Sequence, residues 1–116
     1  MPKLIKQMTG SLSQIIQGDE KYSIHLNVPG VILLLESKKK FPGKQFIYLF
    51  TNTENFITYF HTSCGTVYQE DNKLIFKSDH SSYEFTIDEN CLDEITKQEI
   101  LLNVFSKGNR TLKQRE

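Results

Sequence analysis

The side chains able to do chemistry in this sequence are few: three histidines, His25, His61 and His80, two cysteines, Cys64 and Cys91, and a basic run, Lys38-Lys39-Lys40-Phe41-Pro42-Gly43-Lys44. A structural zinc site takes thiolates and imidazoles at short recurring spacings, and these five residues do not supply them. No glycine-rich phosphate loop follows a strand, and no Ser, His and Asp set is defined by more than composition. The acidic pairs Asp88-Glu89 and Asp93-Glu94 precede a helical pattern, where the helix dipole accounts for them without acid-base chemistry. Neither an enzyme nor a bound cofactor or metal is therefore expected. The basic run is different, because Lys38, Lys39, Lys40 and Lys44 on one hairpin, with Phe41 as an insertion point, could cradle a phosphate. Its competing reading is a solvated charged turn.

A second candidate lies in the strands that flank this loop. Residues 31 to 35 and 46 to 50 are apolar on both faces: Ile32, Leu34, Ile47 and Leu49 alternate with Val31, Leu33, Leu35, Phe46, Tyr48 and Phe50. A sheet with one solvated face does not need the second apolar set. Either the N-terminal segment or a helix of the same chain covers it, or a partner chain does. Aromatic residues gather here too, with Phe46, Tyr48, Phe50, Phe56, Tyr59 and Phe60 on two successive strands. The expected partner-binding set is Ile32, Leu34, Ile47, Tyr48, Leu49, Tyr59 and His61.

The elements that must position these residues follow from periodicity. Strict alternation predicts a strand over 22 to 28, and Pro29-Gly30 predicts a turn into a second strand over 31 to 37. Further strands are expected at 45–51, 56–62, 66–69, 73–77 and 83–87, separated by short polar turns, which gives seven strands in an antiparallel meander or barrel. From Leu92 the period becomes helical: Leu92, Ile95, Leu102 and Phe105 share one face, widened by Leu101 and Val104, with Asn90 as N-cap, Lys107 at the far end and Gly108-Asn109 as the stop. Before the first strand, Ser11 and Gln14 resemble a capping box, and a short helix through Leu12, Ile15 and Ile16 is preferred over an extended strand interrupted by Gly10.

The expected organisation is thus an N-terminal segment, residues 1–20, packed on a single domain, residues 21–108, with a polar tail, residues 109–116. Seven antiparallel strands and one C-terminal helix resemble, in element order alone, the pleckstrin-homology-like superfold; a β-sandwich with an appended helix has the same order. The resemblance implies a module for phosphoinositides, peptides or assembly partners. In that group a hairpin with spaced Lys and Arg commonly holds lipid head groups. The loop here has no Arg and does not reproduce that spacing.

Composition narrows the partner. The 116 residues hold 14 basic and 14 acidic side chains, so no global field steers the chain onto nucleic acid or an anionic membrane. The charges are unevenly placed: residues 1–44 carry seven basic and three acidic, residues 45–105 three and ten, residues 106–116 four and one. The longest apolar run, Val31 to Leu35, is far short of a membrane span, and no signal-peptide pattern opens the sequence. Two cysteines make no disulfide framework and are expected reduced, and the sequon at Asn109-Arg110-Thr111 is expected to be unused. The expectation is a non-enzymatic protein-interaction module, a small subunit of an intracellular, cytoplasmic or nuclear complex, whose partner is another protein chain in a hetero- or homo-oligomer. The alternative is an anionic-ligand module for phosphoinositide or nucleic acid, using Lys38 to Lys44.

Overall fold

A computed structural model of the chain describes residues 2–38, 41–53 and 56–106. Seven antiparallel strands form one sheet: β1 (Lys3–Gln17), β2 (Gly30–Glu36), β3 (Gln45–Thr53), β4 (Phe56–His61), β5 (Thr66–Glu70), β6 (Lys73–Lys77) and β7 (Ser82–Ile87), followed by helix α1 (Glu94–Ser106). The spatial order is β4-β3-β2-β1-β7-β6-β5, so two local meanders, β2 to β4 and β5 to β7, are joined by β1 at the centre. The class expected from the pattern is present, a mainly β chain with a C-terminal helix. The sheet rolls up without closing into a barrel.

Rolling it up brings its two ends together at one corner. Gly65 exchanges both backbone hydrogen bonds with Gln45 of β3, at 2.8 and 2.9 Å, just before β5 turns away to pair with β6. A Cβ at Gly65 would fall on the carbonyl oxygen of Lys77. The corner forms only with the side chain missing. The other tight point is the middle of β1. Gly10 stands opposite Gly30 of β2 and also opposite Ile87 of β7, and a Cβ there would collide with the carbonyl of Thr86.

Three local expectations are overturned. Residues 3–17 form the central strand, in place of the short helix expected through Leu12, Ile15 and Ile16. Register shifts between Leu4 and Lys6, Leu12 and Gln14, and Ile15 and Gln17 break the alternation: Met8 and Leu12 face inward on even positions, then Ile15 on an odd one. Residues 22–28 are no strand. Glu20–His25 is a 3-10 helix whose first turn is capped by Asp19, the carboxylate accepting from the Lys21 N–H at 2.9 Å. Tyr22 and Leu26 turn inward four residues apart while Ile24 between them is exposed, so Pro29-Gly30 leads into β2 without closing a hairpin.

The third concerns α1, which begins later and faces differently. Asp93 is the cap, accepting from the Thr96 N–H at 2.7 Å, an interaction that holds its carboxyl below the usual carboxylate range. Asn90, the expected cap, instead donates its N–H to the Asp88 carboxylate in the preceding turn. Ile100 and Val104, four residues apart, are the buried pair; of the expected face Val104 is buried and Leu92 and Leu101 pack partly buried against the same layer, while Ile95 is 74% and Leu102 70% exposed and Phe105 is exposed too. Apolar residues go nearly all the way round this helix, so the wheel alone could not select the face. The expected stop at Lys107, Gly108 and Asn109 and the polar tail lie outside the described residues.

Two apolar layers result. The inner one, inside the rolled sheet, takes Met8, Leu12, Ile32, Leu34, Ile47, Leu49, Phe60, Leu74, Phe76, Tyr83 and Phe85, with Tyr22 and Leu26 of the 3-10 helix packed against it. The outer layer takes Val31, Leu33, Leu35, Phe46, Tyr48 and Phe50 beneath Ile100 and Val104. The double apolarity of β2 and β3 thus has a local cause: these strands are sandwiched between the sheet's own interior and α1.

Candidate functional site

Covering β2 and β3 from within removes most of the expected partner-binding set from the surface. Ile32, Leu34, Ile47 and Leu49 belong to the inner layer and Tyr48 to the outer one, all buried by the chain itself. A partner has no access to them in the folded chain, which corrects the expectation for these five residues. Tyr59 and His61 differ. They lie on β4, beside β3, where α1 does not extend over them completely.

β4 is one of the sheet's two outermost strands. Its register on β3 sets Tyr59 opposite Phe50 and His61 opposite Tyr48, on the α1 side of the sheet. The rings form a continuous patch: Tyr48 stacks on Phe50 at 5.4 Å and meets His61 at 5.1 Å and Tyr59 at 5.7 Å, and Tyr59 stacks on His61 at 5.9 Å. The patch is anchored in the core and comes to the surface at Tyr59, which is 44% exposed. On the opposite side of the strand, Phe60 is buried and meets Tyr22, His25 and Tyr83 at 5.1 to 5.5 Å. Burial there lowers the His25 pKa. β4 is therefore clamped from within, while on its outer face Ile57 is partly buried against the outer layer and Tyr59 is exposed.

The backbone of β4 has the corresponding polarity. Thr62 donates its N–H to the Ile47 carbonyl at 3.0 Å, and Ile47 returns its own N–H to the Thr62 hydroxyl at 3.0 Å. Antiparallel alternation then commits Phe60 and Thr58 to β3 and turns the N–H and C=O of Ile57 and Tyr59 outward. Among the described residues no strand lies on that side. Soluble proteins blunt such edges with charge, Pro or brevity. β5, the other edge, is short, ends in Glu70, and is flanked by Lys6, whose Nζ donates to the Gln69 side chain at 3.1 Å. β4 reads Phe-Ile-Thr-Tyr-Phe-His and has neither charge nor proline.

Of the expected anion site, Lys39 and Lys40 lie outside the described residues, as does the side chain of Phe56 among the aromatic candidates. Lys38 and Lys44 are exposed at the two ends of the β2–β3 loop, with Phe41 half-exposed between them. Sequence reasoning missed what stands across from this loop. Lys44 and Phe41 share a hollow of about 680 Å³ with Lys77, Tyr68 and His80, residues of β5, β6 and the β6–β7 turn. Nothing in the spacing signals it, because the Gly65 corner creates the neighbourhood.

Neither Cys64 nor Cys91 is in a disulfide, and burial raises the Cys91 pKa, helped by the nearby Asp88 carboxylate. Among the described residues no three His, Cys, Asp or Glu side chains are placed to hold a metal ion, and no helix is long and apolar enough to cross a membrane. Comparison with protein-family models, with curated proteins and with solved structures gives no match.

Proposed function

We propose that this chain is a non-enzymatic protein-interaction module, a small subunit of an intracellular complex, that receives an extended segment of another protein chain along the outer edge of β4. The observation that supports it is the undefended edge: outward N–H and C=O groups on Ile57 and Tyr59, no charge or proline in the strand, and an aromatic patch surfacing at Tyr59 beside it. Strand addition uses main-chain hydrogen bonds for affinity and side-chain pockets on alternate positions for specificity. Here the alternate positions of an added strand would meet Tyr59 and His61 on the α1 side.

The test separates backbone addition from mere stickiness. Peptides selected for binding from a random extended-peptide library should protect the Ile57 and Tyr59 amides from hydrogen exchange. They should also lose binding to Tyr59→Pro, which removes an outward donor and leaves the β3 ladder intact. Tyr59→Phe, which keeps the ring and the N–H, should retain it. Selection that yields no binders, or binders indifferent to Tyr59→Pro, would overturn the reading.

A further inference from the structure

β4 does not end in open solvent. Past His61 the chain runs through Ser63 and Cys64 to the Gly65 corner, and these residues form one wall of the hollow of about 680 Å³ described above. A second hollow, of about 620 Å³, has His61 in its lining and shares Ser63 and His80 with the first. The edge of β4 and the hollow are therefore neighbouring parts of one surface. Anything lying along the edge and continuing beyond His61 arrives there.

The chemistry of the hollow is specific. Lys44 and Lys77 line it, and their ammonium groups make no ion pair or hydrogen bond among the described residues; Asp79 is the one carboxylate in the lining, with His80 beside it. Phe41 and Tyr68 are about half exposed in the same lining, at 50% and 52%. Hydroxyls of Ser63 and Thr66 supply neutral donors, while that of Ser78 donates to the Ser81 carbonyl at 3.4 Å. Two lysines against one carboxylate in the lining leave a local positive excess, in a stretch that is otherwise acidic. Residues 45–105 carry ten acidic side chains against three basic, a field that repels a long polyanion while this spot attracts a single anionic group. The half-exposed rings favour an apolar neighbour next to that group.

Resting on the strand-addition reading, we propose that the segment received by β4 carries, beyond its paired portion, an anionic side chain seated between Lys44 and Lys77 with an apolar residue beside it against Phe41 and Tyr68. The group is a carboxylate or a phosphate. Lys44 and Lys77 are the specificity determinants, and the β4 edge supplies sequence-independent affinity.

The experiment is a paired selection. Peptides from the random library that bind the native chain should be enriched in Asp or Glu next to an apolar residue at one end. Selection on the double variant Lys44→Glu/Lys77→Glu should enrich Lys or Arg at that same place, and peptides from the first pool should bind it about tenfold more weakly at low salt. Exchanging the winning Glu for phosphoserine distinguishes the two sources, tighter binding indicating phosphate and weaker binding carboxylate. If the pools show no acidic preference, or one that the charge swap does not invert, the inference is wrong while strand addition stands. If acidic peptides follow the lysines yet ignore Tyr59→Pro, strand addition fails and the inference falls with it. Binding of a single-stranded oligonucleotide or of phosphatidylserine vesicles through the same lysines, with acidic peptides inert, would also overturn it.

Discussion

Replacing Ile100 by Ala tests how α1 is attached. Ile100 is fully buried against the outer layer of β2 and β3, whereas Ile95, five residues earlier on the same helix, is 74% exposed. Truncation removes three carbons from a buried site, a transfer loss of about 2.4 kcal/mol at roughly 0.8 kcal/mol each. A residual cavity on the order of 40 Å³ beneath the helix adds about 1 kcal/mol. A loss near 3 kcal/mol is a large share of the roughly 5–15 kcal/mol that holds a domain of this size together. The melting temperature should fall by roughly 10 °C or more. Ile95→Ala, by contrast, removes no contact with the sheet and improves helix propensity by a few tenths of a kcal/mol, so its stability should be unchanged or slightly higher. Urea denaturation of both variants, followed by far-ultraviolet circular dichroism and intrinsic tyrosine fluorescence, gives the comparison directly. Equal losses, or a larger loss for Ile95→Ala, would mean that the helix packs through the face suggested by the wheel, and the account of the outer layer would be wrong.

Gly65→Ala should destabilise the chain by about 1–3 kcal/mol, because the new methyl falls on the Lys77 carbonyl and the corner must open; hydrogen exchange at the Gln45 amide should accelerate with it. Burial lowers the pKa of His25 against Phe60, so the unfolded chain takes up this proton first as pH falls. Stability is then lost as pH drops below the ordinary histidine value of about 6.5 and levels off beneath the folded-state value. Urea midpoints from pH 8 to 5 should show this decline in the native chain and a shallower one in His25→Gln.

The elements that read clearly from sequence are those whose burial pattern is uniform along their length. β2 and β3 are buried on both faces and appear as unbroken apolar runs; β6 alternates cleanly, and β7 does so through Tyr83, Glu84 and Phe85. β1 was hidden because each register shift moves its inward set to the other parity, leaving a mixture of periods two and four. The 3-10 helix misled by coincidence: Tyr22, Ile24 and Leu26 alternate as a strand would, and only the first and last point inward. For the candidate site, Tyr59 and His61 were visible as aromatic residues beside an apolar strand. Ile32, Leu34, Ile47, Tyr48 and Leu49 carried the same signal for the opposite reason. Apolar content records that a face is covered and says nothing about whether the cover is the same chain. The hollow that Lys44 and Lys77 share is not legible in the sequence, since it depends on a corner made by a glycine between them.

The position of β1 has a consequence for how the chain folds. Each three-stranded meander closes from contacts near in sequence, but β1 must be satisfied by both: its first half by β2 and its second by β7, with Thr9 reaching the Asp88 carbonyl across 79 positions at 2.7 Å. Loop-closure entropy makes that second pairing the slow one. During synthesis β1 leaves the ribosome before the other six strands described and waits for residues 82–87 before its second half has a partner. Until then Leu12 and Ile15 lack their β7 partners, so the second half of β1 is the last part of the central strand to be paired.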